Sequence, residues 1–562
     1  MKELHNIKTR NELADFLRIP RKKLSYILYK KKVDNLYHSF EIEKKNGGVR
    51  KIDAPMRELK DIQQKLTKTL YKHQEQKWKD KQNNLSHAFE KNKGIITNAK
   101  IHRNKRFVLN IDLESFFESF HFGRVRGFFI KNAHLSLPIE VATVIAQLSS
   151  YQGKLPQGAP SSPVITNLIC EILDLRLLKI SRKFKVDYTR YADDLTFSTN
   201  EKNFSEKESD FLEEITKELK RSGFNINDKK TRLQFKDSRQ VVTGLVVNKK
   251  VNVNRDYYKK TRAMANTLYK QGKFEIDGEE ASINQLEGRF AFINQLDWYN
   301  NHKIGGSPKD YNNRFANFKA SERDYQKFLF YKYFYANSKP LVITEGKTDI
   351  AYLKSALKNM YREYPNLITK TKDETFEFKI SFLKKSKRLN YFLDINKDGA
   401  EGLIKIYNLF SGKGGAPNLL NYFKDKSNTL PHNPVFLLYD NELVNGKPLK
   451  KIVNHAQLDN ETNETLKSEL IVNIRNNLYL LTVPLVNDRL ESDIEDLFED
   501  KILNHKINGK TFNKNNKMDT DMHYGKQKFS QFISQNYRNI NFYNFKCVLN
   551  NINNAIKDYN NP

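Results

Sequence analysis

The sequence predicts two mixed domains in tandem, an α+β domain followed by an α/β domain, and three observations carry that reading. At 562 residues the chain exceeds what one hydrophobic core organises, so it should divide into two or more domains. In the first half, apolar strands meet acids: Phe107-Val108-Leu109-Asn110-Ile111-Asp112, and Tyr191-Ala192-Asp193-Asp194 leading into LTFS. In the second half, LVITEGKTDIAYLKSAL reads as strand, loop and helix, the repeating unit of an α/β layer. The expected boundary lies near residue 335. It gives domains at 1–300 and 337–562, with 301–336, opening on the turn-rich NHKIGGSPKDYNNRF, as connector.

Lys plus Arg number 97 against 66 Asp plus Glu, a formal charge of +31, which favours a polyanionic partner and nucleic acid first. No apolar run approaches the roughly 20 residues needed to span a bilayer, and MKELHNIKTR lacks an apolar signal core. A membrane is therefore not expected, and the expected location is the cytoplasm. Cys170 and Cys547 stand in unrelated contexts, so neither a disulfide framework nor a structural zinc site is predicted.

Taken in order, NELADFLRIPRKKLSYILYK (11–30) places apolar residues at helical spacing among basic ones, predicting an amphipathic helix with a cationic face. A merely solvated face fits it equally well. YHSFEIEKKNGGVRKIDAP (37–55) reads as two strands around an Asn46-Gly47-Gly48 turn, with Lys44, Lys45, Arg50 and Lys51 adding charge. VNVNRDYYKKTRAMANTLYK (251–270) interleaves bases with Tyr257, Tyr258 and Tyr269. It suits either a helix gripping RNA by charge and stacking or a packed amphipathic helix. Asn- and Lys-rich stretches near 505–518 and at the C-terminus read as solvated loops.

Two-metal nucleotidyl transfer needs carboxylates that hold two divalent ions about 3.5–4 Å apart. Asp112 and the Asp193-Asp194 pair supply candidates. Read alone, an Asp-Asp pair is more often a solvated turn. Its neighbours change the reading. YADD (191–194), NIDLESFF (110–117) and LPQGAPSSPVITNL (155–168) resemble, in order, the palm motifs of reverse transcriptases. The resemblance implies a right-hand fold of fingers, palm and thumb. It makes Asp112 and Asp193, with Asp194 beside them, ligands of two Mg2+ ions, and dNTPs the substrates. It makes Phe117 the aromatic side chain that excludes a ribose 2′-OH, and Arg50 a contact to the incoming phosphate. In Gln157-Gly158-Ala159-Pro160, Gly158 permits close backbone approach and the prolines fix dihedrals, suited to packing on nucleotide and template. GFNIN (223–227) followed by KTR (230–232) resembles the next motif, with Lys230 near the triphosphate as a proton donor to pyrophosphate; Lys229 leaves the register open.

Asn98-Ala99-Lys100-Ile101-His102 and Val242-Thr243-Gly244 fit the NAxxH and VTG signatures of bacterial retron enzymes, as do Gly94 and Ser86-His87-Ala88-Phe89. Asn98 and His102 are accordingly candidate substrate-binding residues, although a lone His beside apolar residues is more often simply packed. This resemblance spans roughly residues 10–300, including Leu286-Glu287-Gly288-Arg289 of the presumed thumb. It implies reverse transcription of a structured non-coding RNA, primed from an internal guanosine 2′-OH, giving branched RNA–DNA.

In the second domain, Pro434 to Glu442 (PVFLLYDNE) is another apolar strand ending in acids two residues apart, which can converge on one metal ion. With EGKTD (345–349) it resembles the TOPRIM domain of topoisomerases, primases and related nucleases, although DxE stands where that family has DxD. The resemblance implies Glu345 as metal ligand or general acid/base, Asp440 and Glu442 as Mg2+ ligands and Asp349 as accessory acid. Glu495 and Asp496 in SDIEDLF and Lys526 in HYGKQKF are similar to late nuclease-branch positions. EGKTD alone would be a charged turn, and Ser411-Gly412-Lys413-Gly414-Gly415 lacks the phosphate-loop pattern. The reading is a right-hand polymerase joined to an α/β TOPRIM nuclease, RNA or DNA being its target, within a phage-defence complex that assembles with its own nucleic acid, possible homo-oligomer included. Its rivals are a domain that trims its own transcript and a non-catalytic scaffold.

Overall fold

A computed structural model describes residues 3–44, 47–77, 85–303, 315–395, 401–487, 489–514 and 519–561. Asn46 of the predicted turn with the flanking Lys45, 304–314 of the connector and 515–518 lie outside the described residues.

The chain forms two compact units, Met1–Arg255 and Asp256–Pro562. The predicted boundary near 335 thus falls inside the second unit. The reason is packing: Leu268, Tyr269, Leu286 and Phe290, on the two helices before the connector, share one core with Tyr325, Phe328, Leu341 and Leu437.

In the first unit the predicted 11–30 helix is interrupted. α1 (Arg10–Phe16) ends before Pro20, and a helical turn restarts at Arg21, because proline cannot continue a helix hydrogen-bond ladder. β1 (Tyr37–Glu43) and β2 (Val49–Pro55) form the expected antiparallel hairpin, with Gly47 at φ 84° and Gly48 at φ 80°, a region that glycine enters without steric cost. Further on come α2 (Ile95–Ile101), β3 (Phe107–Asp112), α3 (Ser162–Lys183), β4 (Asp187–Tyr191), β5 (Asp194–Thr199) and β6 (Arg232–Phe235). The four strands make an antiparallel sheet in the order β4-β5-β3-β6. Leu109, Ile111, Leu195 and Phe197 are buried with Leu173 and Leu177 of α3 in one core; each such side chain contributes about 1.5–3 kcal/mol. A small hairpin, β7 (Val241–Val242) and β8 (Leu245–Val246), turns through Thr243 at φ 45° and Gly244 at φ 80°, the pair of positive dihedrals that a two-residue hairpin loop requires.

The second unit opens with α4 (Arg255–Gln271) and α5 (Ile283–Lys303), followed by α6 (Ala320–Phe330). The tyrosines of α4 turn inward. Tyr269 is buried against Tyr331 and Phe423, Tyr258 donates to Asp324, and Tyr257 lies under the Arg289 guanidinium. The packed-helix alternative therefore describes these aromatics. A five-stranded sheet follows, built from β9 (Leu341–Thr344), β10 (Ser381–Phe382), β11 (Val435–Tyr439), β12 (Ile471–Arg475) and β13 (Leu478–Thr482), in the order β10-β9-β11-β13-β12. All neighbours are parallel except β12 against β13. β9 and β11 are buried along their whole length, as parallel strands covered on both faces must be. α7 (Lys347–Asn359) follows β9, and α8 (Leu419–Lys424) precedes β11.

Candidate active site

Register brings the first-unit acids together. Asp112, the last residue of β3, stands opposite Asp194, the first of β5. Tyr191 pairs with Asp194, so Ala192 and Asp193 alone make the β4–β5 turn, with Ala192 at φ 57°. The Asp193 carbonyl accepts from Leu113 N–H at 3.0 Å, and the Asp112 carbonyl from Asn227 N–H at 2.8 Å. The three carboxylates therefore share one end of the sheet. Desolvation first, then the charge of Asp112, raises the pKa of Asp193, against the opposing fields of Lys230 and Arg50. Asp194, although partly open to solvent, is pushed up to about 6 by desolvation and by Asp193 and Asp112. Hard carboxylate oxygens that repel one another are a donor set suited to a divalent cation. Among the described residues no three His, Cys, Asp or Glu side chains stand close enough to hold a metal ion. Here Lys230 Nζ donates to both Asp112 oxygens, at 2.9 and 3.1 Å.

The other predicted contacts separate into those that face this end and those that do not. Arg50 projects its field onto Asp193. Phe117 is half-buried, braced edge-on against Phe116 at 5.5 Å. Gln157 accepts through its carbonyl from Asp53 N–H at 2.9 Å. Gly158, at φ 134°, lies so near β2 that an added Cβ would sit 2.7 Å from the Asp53 carbonyl oxygen. Its close approach is thus to the β2 backbone, which ties the loop to the fingers hairpin.

Asn98 and His102 are a correction. Both are fully buried and spent on hydrogen bonds inside the fold, on the sheet face that carries Ser198 and, four residues before it, Asp194. Thr189 donates its hydroxyl to Asn98 Oδ1 at 2.7 Å, so it must accept from His102 Nε2, also at 2.7 Å, leaving His102 Nδ1 to accept from Ser198 at 2.7 Å. A chain of hydrogen bonds thereby links α2 to β4 and β5. Thr243 donates to the Ile95 carbonyl at 3.3 Å and Asn110 to the Val241 carbonyl at 2.8 Å, so the segments carrying the two retron signatures brace one another against the sheet. Burial pushes His102 down to about 3 from an ordinary 6.5. Below pH 6.5 the unfolded chain takes up a proton that the folded one refuses, so stability falls as pH drops from 6.5 towards 3. At pH 5 the expected loss is about 2 kcal/mol. Urea midpoints at pH 7 and 5 should show it in the parent and not in His102→Gln.

Beneath the turn lies a pair that motif reading missed. Arg190, fully buried, is held bidentately by Asp174 at 2.8 and 2.8 Å and donates to the Ala192 carbonyl at 3.3 Å. Asn167, inside the LPQGAPSSPVITNL motif, accepts from Arg190 and Ser86 and donates to the Ala88 carbonyl.

In the second unit the parallel register Thr344↔Leu438 releases Glu345 and Asp440 side by side at the carboxyl ends of β9 and β11, where open α/β sheets place their sites. Asp440 N–H donates to Glu345 Oε1 at 3.2 Å, and Ile494 N–H to Asp440 Oδ1 at 3.0 Å. Asp349 accepts from Gly346 N–H at 2.8 Å. Glu495, fully buried, accepts from Lys526 Nζ at 2.9 Å and from the Tyr352 hydroxyl at 3.4 Å. Burial, then Asp349 and Glu442, pushes Glu345 up to about 7. Burial, then Glu345, Asp349, Asp493 and Glu495, holds Asp440 well above the carboxylate range. Five of the predicted residues thus converge. Glu442 is drawn to Lys447 at 2.8 Å, and Asp496 pairs with Arg489 and Lys514. Asp493 and Lys385, which donates to the Glu345 carbonyl at 3.0 Å, belong to this neighbourhood and were not foreseen. The dense acids of ESDIEDLF were the available signal for Asp493; Lys385 had none.

A four-stranded antiparallel sheet with acids at the end of an inner strand and at an adjoining hairpin tip is the arrangement of a nucleotide-polymerising palm. The family described as "Reverse transcriptase (RNA-dependent DNA polymerase)" matches residues 42–253. The retron Ec86 reverse transcriptase of Escherichia coli is 34% identical over 290 residues, 51% of this chain and 84% of that protein. The chain belongs to the retron reverse transcriptases. The Mx162 enzyme of Myxococcus xanthus is 33% identical over 318 residues, 51% of this chain but 63% of its own length, under two thirds. A structure of telomerase from Candida albicans with a fragment of telomeric RNA is similar over 53% of this chain and 60% of its own. Its identity is 11% and its TM-score 0.31, too low to add to the assignment.

Proposed function

We propose that the chain copies a structured non-coding RNA into DNA branched from that RNA, and that its second unit is a TOPRIM-type metal-dependent nuclease serving phage defence. The first part rests on the convergence of Asp112, Asp193 and Asp194. Mg2+ bound there would supply Lewis acidity for the attacking hydroxyl and the leaving pyrophosphate. Asp193 and, on release from Lys230, Asp112 would hold it, with Asp194 beside them, and Lys230 would then be free to turn to a triphosphate. Arg50 suits a phosphate and Phe117 the sugar edge. The second part rests on Glu345 and Asp440 meeting at the ends of parallel strands, with Asp349 and Glu495 behind them and Lys526 positioned to steady developing phosphate charge. The engagement of Glu442 by Lys447 favours one alternative, a second unit that binds nucleic acid without cutting it.

Two measurements test this. Expression with the native upstream RNA region, followed by sequencing of copurified nucleic acid, should yield DNA joined to RNA through a 2′-5′ branch, absent from Asp193→Asn; unbranched RNA in both would refute the first part. Mg2+-dependent cleavage of RNA and DNA should fall at least about 10²-fold in Glu345→Gln and in Asp440→Asn. Cleavage that survives both changes would refute the second.

A further inference from the structure

Away from both acidic ends, the second unit contains a cavity of 340 Å³ between α4, α6 and α8, within the size range of small-ligand pockets. Its wall carries three cations from three separate stretches of chain: Arg262 on α4, Lys327 on α6 and Lys426 just beyond α8. Only one is neutralised from within the lining, Arg262 by Asp324 at 2.9 Å. The two lysines gather around a single ring, with Lys327 Nζ 4.2 Å and Lys426 Nζ 5.4 Å from the Tyr422 centroid. The remaining wall is mixed, with Asn266 and Tyr269 beside apolar groups. Phe290 is stacked on Tyr325 at 5.4 Å, and Ala263 and Ala265 lie beside it.

One further group has no counterpart in the fold. The Tyr269 hydroxyl is buried with no hydrogen-bond partner, a condition that costs about 1–3 kcal/mol unless something satisfies it. Its ring cannot turn away, being packed on Tyr331 at 4.8 Å and Phe423 at 4.9 Å. Tyr422 and Asp324, both in the cavity wall, are the first groups whose charge it feels, and burial raises its pKa far enough to keep it a donor.

We propose that this cavity binds a single nucleotide, its phosphate between Lys327 and Lys426 and its base against Phe290, with the Tyr269 hydroxyl and the Asn266 amide reading polar atoms of the base or sugar. Phosphate alone would leave Asn266, Phe290 and the Tyr269 hydroxyl unused. A nucleoside alone would leave the two ammonium groups at the Tyr422 ring without an anion from the ligand. A nucleotide uses both. It is either free in solution or one residue of a bound strand, because the recognised chemistry is the same.

The test uses the full chain in EDTA at physiological ionic strength, so that divalent cations do not hold nucleotide at the acidic ends. Binding of AMP, GMP, CMP and UMP is measured by calorimetry beside adenosine and inorganic phosphate. In parallel, a ten-nucleotide RNA carrying 4-thiouridine is photocrosslinked and the attachment mapped by mass spectrometry. Saturable mononucleotide binding that weakens at least about tenfold in Lys327→Gln/Lys426→Gln, and weakens in Tyr269→Phe without loss of thermal stability, supports a free nucleotide. Failure of the mononucleotides, together with crosslinks to Tyr269 or Tyr422 that the double variant abolishes, supports a nucleotide within a strand. Binding or crosslinking indifferent to these variants overturns the proposal, as does inorganic phosphate binding as tightly as the nucleotides.

Discussion

Asp193→Asn is expected to lower templated DNA synthesis by at least about 10³-fold, a loss of roughly 4 kcal/mol of transition-state stabilisation, without loosening the fold. The side chain sits at a two-residue turn whose backbone is held independently, by the cross-strand pair Tyr191↔Asp194 and by Leu113 N–H on the Asp193 carbonyl. Asparagine keeps the shape and removes the charge. Without divalent cations the change should even relieve repulsion, since Asp112 raises the pKa of Asp193. For the half-open Asp194, whose folded pKa of about 6 exceeds the ordinary 3.8, stability is fully present below pH 3.8 and declines as pH rises through 6. Asp194→Asn should therefore gain about 1 kcal/mol at pH 7.5 in EDTA after allowance for solvent screening. Primer extension and calorimetry on the same preparations check both statements; an inactive variant that is also markedly less stable would assign Asp193 a structural role.

Arg190→Met should destabilise the first unit by about 3–5 kcal/mol, because it strands Asp174 as a buried, uncompensated charge. Burial alone works against the guanidinium, yet Asp174 outweighs that penalty and holds it above its ordinary pKa. Both partners are almost wholly shielded, at 0% and 2% exposure, so solvent cannot replace the lost partner. Replacing Asp174 as well, by Leu, should recover much of the loss. Urea unfolding of the parent, the single variant and the double variant measures the coupling directly. A single variant within about 0.5 kcal/mol of the parent would show that the pair is not the support of the turn.

What could be read in the sequence was what lies contiguously along it. NIDLESFF and YADD declare a strand end and a hairpin tip, and β-sheet register then brings Asp112 to Asp194 without further information. EGKTD and YDNE follow buried parallel strands, and parallel pairing aligns their ends in the same way. Arg190 stands one residue before YADD but is meaningful only through Asp174, across the packing of α3 on β4. Asn98 and His102 read as substrate contacts because polarity in a motif is visible and its burial against Thr189 and Ser198 is not. The unit boundary was misplaced because turn-forming residues after 300 mark a break in local pattern, whereas the apolar faces of α4 and α5 find their partners beyond it.

The order of strands along the chain also fixes the order in which the units can be completed on the ribosome. All four strands of the palm sheet, together with the brace packed on it, have been synthesised by residue 246. β9, by contrast, must wait for both of its neighbours, and β11 is not flanked until residues 478–482 emerge. Since domains fold as units from the N-terminus and distant pairings form slowly, the first unit with its palm sheet precedes the second sheet. The cluster of Glu345, Asp440, Glu495 and Lys526 is assembled last, after the sheet end that carries Asp112, Asp193 and Asp194 is already complete.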